Sequence, residues 1–369
     1  MALMLALRKQ YVSERTEDLN RSAVDRSHAH QEAVTDFDQR HKEAVAQEAR
    51  LDAVERRFTD LYVKAAEQLG SEKAPVRLAG MYALERLASD NVAQRQMIVN
   101  VLCSYLRMPF SGPFEARTYQ LDRRPELRSK AGIKHKPSPM NSTSAEVPGS
   151  REELEVRLVA QDIIWKHLQP FKTPDEHHKR GTEPNPHFWE DLDIDLAGAQ
   201  LVGFGLNRCR LNYADFTGAV FHELASFEHA EFRDDAFFDG SLFLDRADFS
   251  RAKFERRAWF HSAAFRGTFH FFWVEAHNVN FALSDFQDGA WFSSAKLGLD
   301  PGFNFASFGG EVDFKTANIQ GSFHMQDVKV YNLGSQYRRM FWPSPYRLVV
   351  HDDDPTLGHL EWSAERTLN

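Results

Sequence analysis

From Leu196 onward every fifth residue is apolar and in phase, a period that belongs neither to a helix nor to a simple strand. Helices repeat at 3.6 residues and strands at 2. The beat falls at Leu196, Leu201, Leu206, Leu211, Phe216 and Phe221. It then alternates steps of six and five through Phe227, Phe232, Phe238, Phe243, Phe249, Phe254, Phe260, Phe265 and Phe271. Ala276, Phe281 and Phe286 follow in fives. The alternation resumes at Phe292, Leu297, Phe303, Phe308, Phe314, Ile319, Met325 and Val330. All 26 positions are apolar and 17 are Phe, more than half of the chain's 30. Two residues before each centre lies a second slot, and 17 of these 26 hold Ala, Ser or Cys. So long an internal repeat dictates a solenoid, in which each unit buries its apolar face only against its neighbours. The Phe ladder is then core packing, not a ligand box.

Ala214-Asp-Phe-Thr-Gly218, Ala230-Glu-Phe-Arg-Asp234 and Ala247-Asp-Phe-Ser-Arg251 carry a closer likeness. Their pattern resembles the pentapeptide-repeat family, whose unit is A-(D/N)-(L/F)-X-X with the L/F as centre. The resemblance implies a right-handed quadrilateral parallel β-helix. Four units make one square turn, with large centres filling the interior and small residues inward where space is tight. A sixth residue in a step would be absorbed as a bulge on a side or corner. The likeness extends toward the N-terminus. Leu69-Gly-Ser-Glu-Lys73, Val76 to Ala88, Arg95-Gln96, Val101 to Pro109 and Trp189 to Ala199 look like an uncharacterised bacterial group of these proteins. In that group a helical stalk precedes the C-terminal repeats, so the similarity covers about 58–330. Members often carry membrane helices ahead of the stalk. The resemblance therefore implies membrane association through Met1–Leu7 or an upstream segment, although seven apolar residues cannot span a bilayer, which needs about 20. The family brings no catalytic residues to carry over.

The remaining chain divides by composition. Residues 1–69 have no Pro, no Gly and many Glu, Arg, Gln and Ala, which favours one or two long charged helices forming a stalk. A heptad column of Phe37, Ala44, Leu51, Phe58 and Ala65 faces a mostly polar partner column, so packing is expected only near the C-terminal end. Residues 70–190 read as a small helical domain, with a helix start at Ser71 to Pro75 and a V-R-L phrase at Val76 that returns at Val156. Such paired short helices resemble units of a HEAT-like solenoid. A flexible loop is expected at about 108–150, where Pro, Ser, Thr and Asn accumulate. The β-helix occupies 191–330. Residues 331–369 form a C-terminal cap or dimerisation segment, because a bare last turn would offer open strand edges. Tyr331, Tyr337, Phe341, Trp342, Tyr346 and Trp362 supply the covering surface, and the resemblance to related β-helices implies a homodimer through that end.

Chemistry is sparse. There is no phosphate-binding glycine loop, no H-E-x-x-H and no nucleophile elbow, so no catalytic residue, cofactor or metal site is assigned. Asp191, Asp193 and Asp195 would share a face on a strand, but no further ligand accompanies them. The two cysteines, Cys103 and Cys209, rule out a disulfide scaffold and a four-cysteine zinc site and point to a reducing, cytoplasmic setting, with the inner face of a membrane as the place of any attachment. The leading function is a non-catalytic protein-interaction or scaffold module with an unidentified protein partner and no direct nucleic-acid binding. Two alternatives follow from the resemblance: a DNA-mimicking regulator of DNA gyrase or another DNA-binding protein, and a membrane-associated or defence-system component. The mimic fares poorly on charge. Residues 191–330 hold 20 acidic and 12 basic residues, net −8, whereas B-DNA of the same ~31 Å length carries about 18 negative charges. Arg251, Lys253, Arg256 and Arg257 also break any acidic stripe, and they form the candidate interaction surface.

Overall fold

A computed structural model describes residues 2–110, 112, 150–172, 183–333 and 340–363. The connection expected at 108–150 therefore lies outside the described residues except at its ends, and Tyr337 lies outside them too. The chain divides into two compact units, Met1–Lys64 and Ala65–Asn369. The first is carried by one helix, α1 (Ala2–Leu69), rather than two. Most of its large apolar residues are exposed, Phe37 and Leu51 among them, while Phe58 and Tyr62 toward its C-terminal end are half-buried. Local pairs such as Arg40–Asp36 (2.9 Å) and Gln39–Glu43 (2.8 Å) decorate it, each contributing only a few tenths of a kcal/mol. Among the described residues no helix is long and apolar enough to cross a membrane.

In the second unit, α2 (Ala74–Asp90), α3 (Arg95–Arg107) and α4 (Ser150–His167) bury Met81, Leu84, Ile98, Leu102, Val156 and Ile163 against one another. Gly80 on α2 has no room for a side chain, because a Cβ there would lie 2.9 Å from the Ala65 carbonyl. The two V-R-L phrases converge on one carboxylate. Arg77 reaches Glu153 at 3.1 Å, Arg157 reaches it at 2.9 Å, and Tyr105 donates to it at 2.8 Å. Arg157 is almost wholly buried and also donates to the carbonyls of Leu106 and Met108. That satisfies a guanidinium whose burial would otherwise be costly.

Beyond Ile194 the chain is a parallel β-solenoid of roughly 6 turns. Strands of mostly two residues pair 20 to 22 residues apart, as in Ile194↔Ala214↔Ala236↔Ala258. Four columns of centres line four sides, numbered here in chain order from the columns beginning at Leu196, Leu201, Leu206 and Leu211. Every centre read from the sequence is buried except Ile319, which is half-buried. Successive Phe rings stack at the spacing of the strands beneath them, about 4.8 Å. Phe221–Phe243 stand 4.4 Å apart, Phe238–Phe260 4.7 Å and Phe286–Phe308 4.8 Å.

One turn breaks the size rule twice and balances it. Phe269 occupies a small slot while Ala276 occupies a centre. Phe271, next to the intruding ring, tilts out of its own column and comes parallel to Phe254 at 6.3 Å. Interior volume is conserved, which is what close packing requires.

The corners follow from the same repeat. After sides one and three the amide of each small residue donates back to the preceding centre, as Ala219 N–H does to Phe216 C=O at 3.0 Å. The second of the two residues at each such corner takes a positive φ, natural for Gly218 (66°) and Gly240 (62°) but disfavoured for Arg251 (60°) and Trp273 (51°).

Both ends of the solenoid are covered. At the first turn, Gln96 on α3 exchanges two 2.9 Å hydrogen bonds with the backbone of Asp193. At the last, the strand Lys329–Tyr331 pairs antiparallel with Leu357–Trp362, itself paired with Tyr346–Val350. Trp342 packs on Phe308 and Phe314, and Tyr346 donates to the Phe323 carbonyl at 2.8 Å. Trp362 touches Tyr346 but is 65% exposed, so it covers little.

Candidate interaction surface

The outward residues of side four form a ladder of alternating charge. Arg210, Glu231, Lys253, Glu275 and Lys296 are consecutive rungs, 21 or 22 residues apart in sequence. Arg210 binds Glu231 at 2.7 Å and Lys296 binds Glu275 at 2.5 Å. Lys253 lies 4.0 Å from Glu231 and 2.6 Å from Glu255. This side neutralises itself rung by rung.

Between sides four and one the six-residue steps are absorbed as the sequence suggested. In the strand Lys253–Trp259, Phe254 pairs with Ala276 and Arg257 with Asn278, so two residues stand opposite one and a bulge forms at Glu255 and Arg256. The turn below has its own six-residue step from Phe232 to Phe238, which places Asp234 and Asp235 under the two arginines. Arg256 approaches Asp234 at 3.3 Å. Arg257 is ion-paired with Asp235, donates to the same carboxylate from its backbone amide (3.2 Å), and lies over the Trp259 ring at 5.1 Å. Asp235 is only 7% exposed, and the hydrogen bond from Arg257 holds its carboxyl below the usual range against the opposing effect of burial. Arg256 and Arg257 therefore face outward in different ways. Arg256 leans over the surface, while Arg257 compensates a buried charge. A match to the pentapeptide-repeat family model, in 9 copies, spans residues 206–253.

The chain carries pentapeptide repeats. Comparison with curated proteins and with solved structures returns no match.

Of the four basic residues singled out on this pentapeptide-repeat solenoid, Lys253, Arg256 and Arg257 are thus engaged by carboxylates. Arg251 makes no ion pair among the described residues, and its guanidinium lies 5.1 Å above the Trp273 ring. Trp273, more than half exposed, was missed in the sequence because it belongs to neither the centre nor the small slot. The αL corner that it shares with Arg251 is the signal that could have found it.

The remaining candidates have structural partners. Asp191 binds Arg233 at 3.0 Å, Asp193 accepts from the Tyr213 amide at 3.1 Å, and Asp195 pairs with Arg107. Only Asp195 of the three lies in a strand, so they do not share one face. Among the described residues no cluster of three or more His, Cys, Asp and Glu could hold a metal ion. Both thiols are buried. Burial pushes Cys103 up to about 12 and Cys209 well above the ordinary value, which keeps them protonated at neutral pH. A hollow of about 390 Å³ between α3 and the first turn is lined by Gln96, Asn100, Arg107, Asp193 and Tyr213, with Gln96 and Arg107 already committed to the backbone of 193 and to Asp195.

Proposed function

We propose that this pentapeptide-repeat protein is a non-catalytic interaction scaffold whose partner is a protein. The observation that carries the reading is the division of roles within each unit. Centres and small slots are spent on the interior, whereas outward positions range from Glu and Lys to Trp without affecting the register. Pentapeptide-repeat β-helices are generally non-catalytic, in keeping with this. DNA mimicry gains no support from side four, where Arg210, Lys253 and Lys296 alternate with the acids. A duplex surrogate needs an unbroken negative track.

The test is to cross-link the intact chain in cell extract, identify the captured protein, and titrate the purified pair. A saturable complex that competes with no nucleic acid is expected. Failure of any purified protein to form such a complex, or turnover of a small molecule by the chain alone, would overturn the reading.

A further inference from the structure

One corner column is built against local preference. After side three, four successive turns place Arg208 (φ 59°), His229 (58°), Arg251 (60°) and Trp273 (51°) in the left-handed region. Glycine or asparagine takes this conformation most readily, and a bulky aromatic residue is an outlier there. Trp273 gains no interior burial in return, since it is 55% exposed. Beside it Phe272 lies 6.0 Å away, and Phe272 in turn runs parallel to Trp291 at 6.3 Å, so three aromatic side chains line the outer surface of two turns. Strain held at a solvent-facing position with no interior burial in return is characteristic of recognition sites.

The charges around this patch have a sign. Arg208 and Arg251 below it and Lys315 two turns above Phe272 make no ion pair among the described residues, unlike the cations of side four. Of the carboxylates on the same side, Glu228 is nearly half exposed two turns below Phe272 and lies 3.7 Å from His229, whereas the two nearest the patch are turned onto the fold. Asp248 faces His270 at 3.7 Å and accepts from the Ser250 amide at 3.0 Å, and Asp313 accepts from the Lys315 amide at 2.7 Å. The diagonal corner also exposes Leu283 and Phe305 at positive φ, but no Lys or Arg flanks them in that column.

We infer that the Arg251–Trp273 corner is a docking site for an acidic peptide segment carrying an apolar side chain. The apolar group would lie on Trp273 and Phe272, and the acids would meet Arg251, Arg208 and Lys315. This rests on the reading of the chain as a protein-interaction scaffold and adds the place and the chemistry.

The probe is a fluorescein-labelled peptide with two Glu on either side of a single Phe, titrated by anisotropy against the intact protein. Its Lys counterpart and an oligo(dT) strand serve as controls. The acidic peptide binds best, and more weakly as salt rises. Trp273→Gly relieves the corner, so its melting temperature equals or exceeds that of the wild type while affinity falls about tenfold, as for an aromatic anchor. Should glycine lower the melting temperature, Trp273→Asn, also tolerated at positive φ, replaces it. Leu283→Gly relieves the other corner and leaves affinity unchanged. Equal binding of the Lys peptide or of oligo(dT), undiminished binding by both Trp273 variants, or an equal loss with Leu283→Gly overturns the assignment. A protein partner captured by the intact chain that binds Trp273→Gly as tightly as wild type would sink this site alone and leave the scaffold reading standing.

Discussion

Gln161 on α4 and Val202 on side two are joined by two hydrogen bonds: the carboxamide Nε2 donates to the Val202 carbonyl at 2.9 Å, and Oε1 accepts from the Val202 amide at 3.4 Å. A side-chain amide thus stands where a neighbouring strand would be. Gln96 does the same for Asp193 on side one, and the Leu168 carbonyl accepts from Arg210 N–H on side four at 2.8 Å. The helices close the first turn through their polar groups as well as their apolar ones, which removes an edge that could otherwise recruit another chain.

Gln161→Leu should therefore destabilise the second unit, because it leaves a buried N–H and C=O without partners while preserving bulk. The expected cost is about 1–3 kcal/mol in chemical denaturation, with increased self-association. The same change at the more exposed Gln96 should cost less. A neutral Gln161→Leu would show that the contact is incidental.

The two bulge arginines should separate in a double-mutant cycle. Arg257→Ala strands the buried carboxylate of Asp235, whereas Arg256→Ala removes a surface contact worth at most about 1 kcal/mol. Thermal melts should fall clearly for Arg257→Ala and hardly at all for Arg256→Ala. Adding Asp235→Asn to Arg257→Ala should restore much of the loss. Equal effects of the two single variants would contradict the pairing.

How much of this was legible in the sequence depended on whether a contact follows from the period alone. Phe216, Phe238 and Phe260 declare their column because only one fold repeats every five or six residues. The charge ladder from Arg210 to Lys296 was also within reach, since its members recur at the 21–22-residue length of a turn. The Arg257–Asp235 pair was not, because it depends on where the sixth residue of a step bulges, and the pattern of centres is the same for a bulge on either side of a corner. Gln96 and Gln161 were invisible for another reason. A glutamine in a polar helix reads as solvated until the strand edge that it meets is known. Likewise, Asp191, Asp193 and Asp195 alternate in sequence, but only Asp195 lies in the first strand and the other two lead into it.

Asp248 supplies a pH signature. Burial alone would raise its carboxyl, but hydrogen bonds involving His270 and Ser250 outweigh that and hold it at about 2 instead of 3.8. A carboxyl depressed in the folded state stabilises it fully above the unfolded value, and that contribution is lost as pH falls through the folded one. Between about pH 4 and pH 2 the wild type should therefore lose melting temperature faster than Asp248→Asn. Parallel curves over that window would exclude the linkage.

The most direct test of the architecture is one melting experiment on two variants from the same strand. Phe254 is 1% exposed and stacks on Phe232 at 4.7 Å, while Arg256, two residues on, lies at the surface of the bulge. Phe254→Ala should cost about 3–5 kcal/mol, a large share of a domain's stability, and should lower the melting temperature sharply. Arg256→Ala should melt within about a degree or two of the wild type, as surface changes usually do. A harmless Phe254→Ala beside a destabilising Arg256→Ala would contradict the register on which the whole solenoid is built.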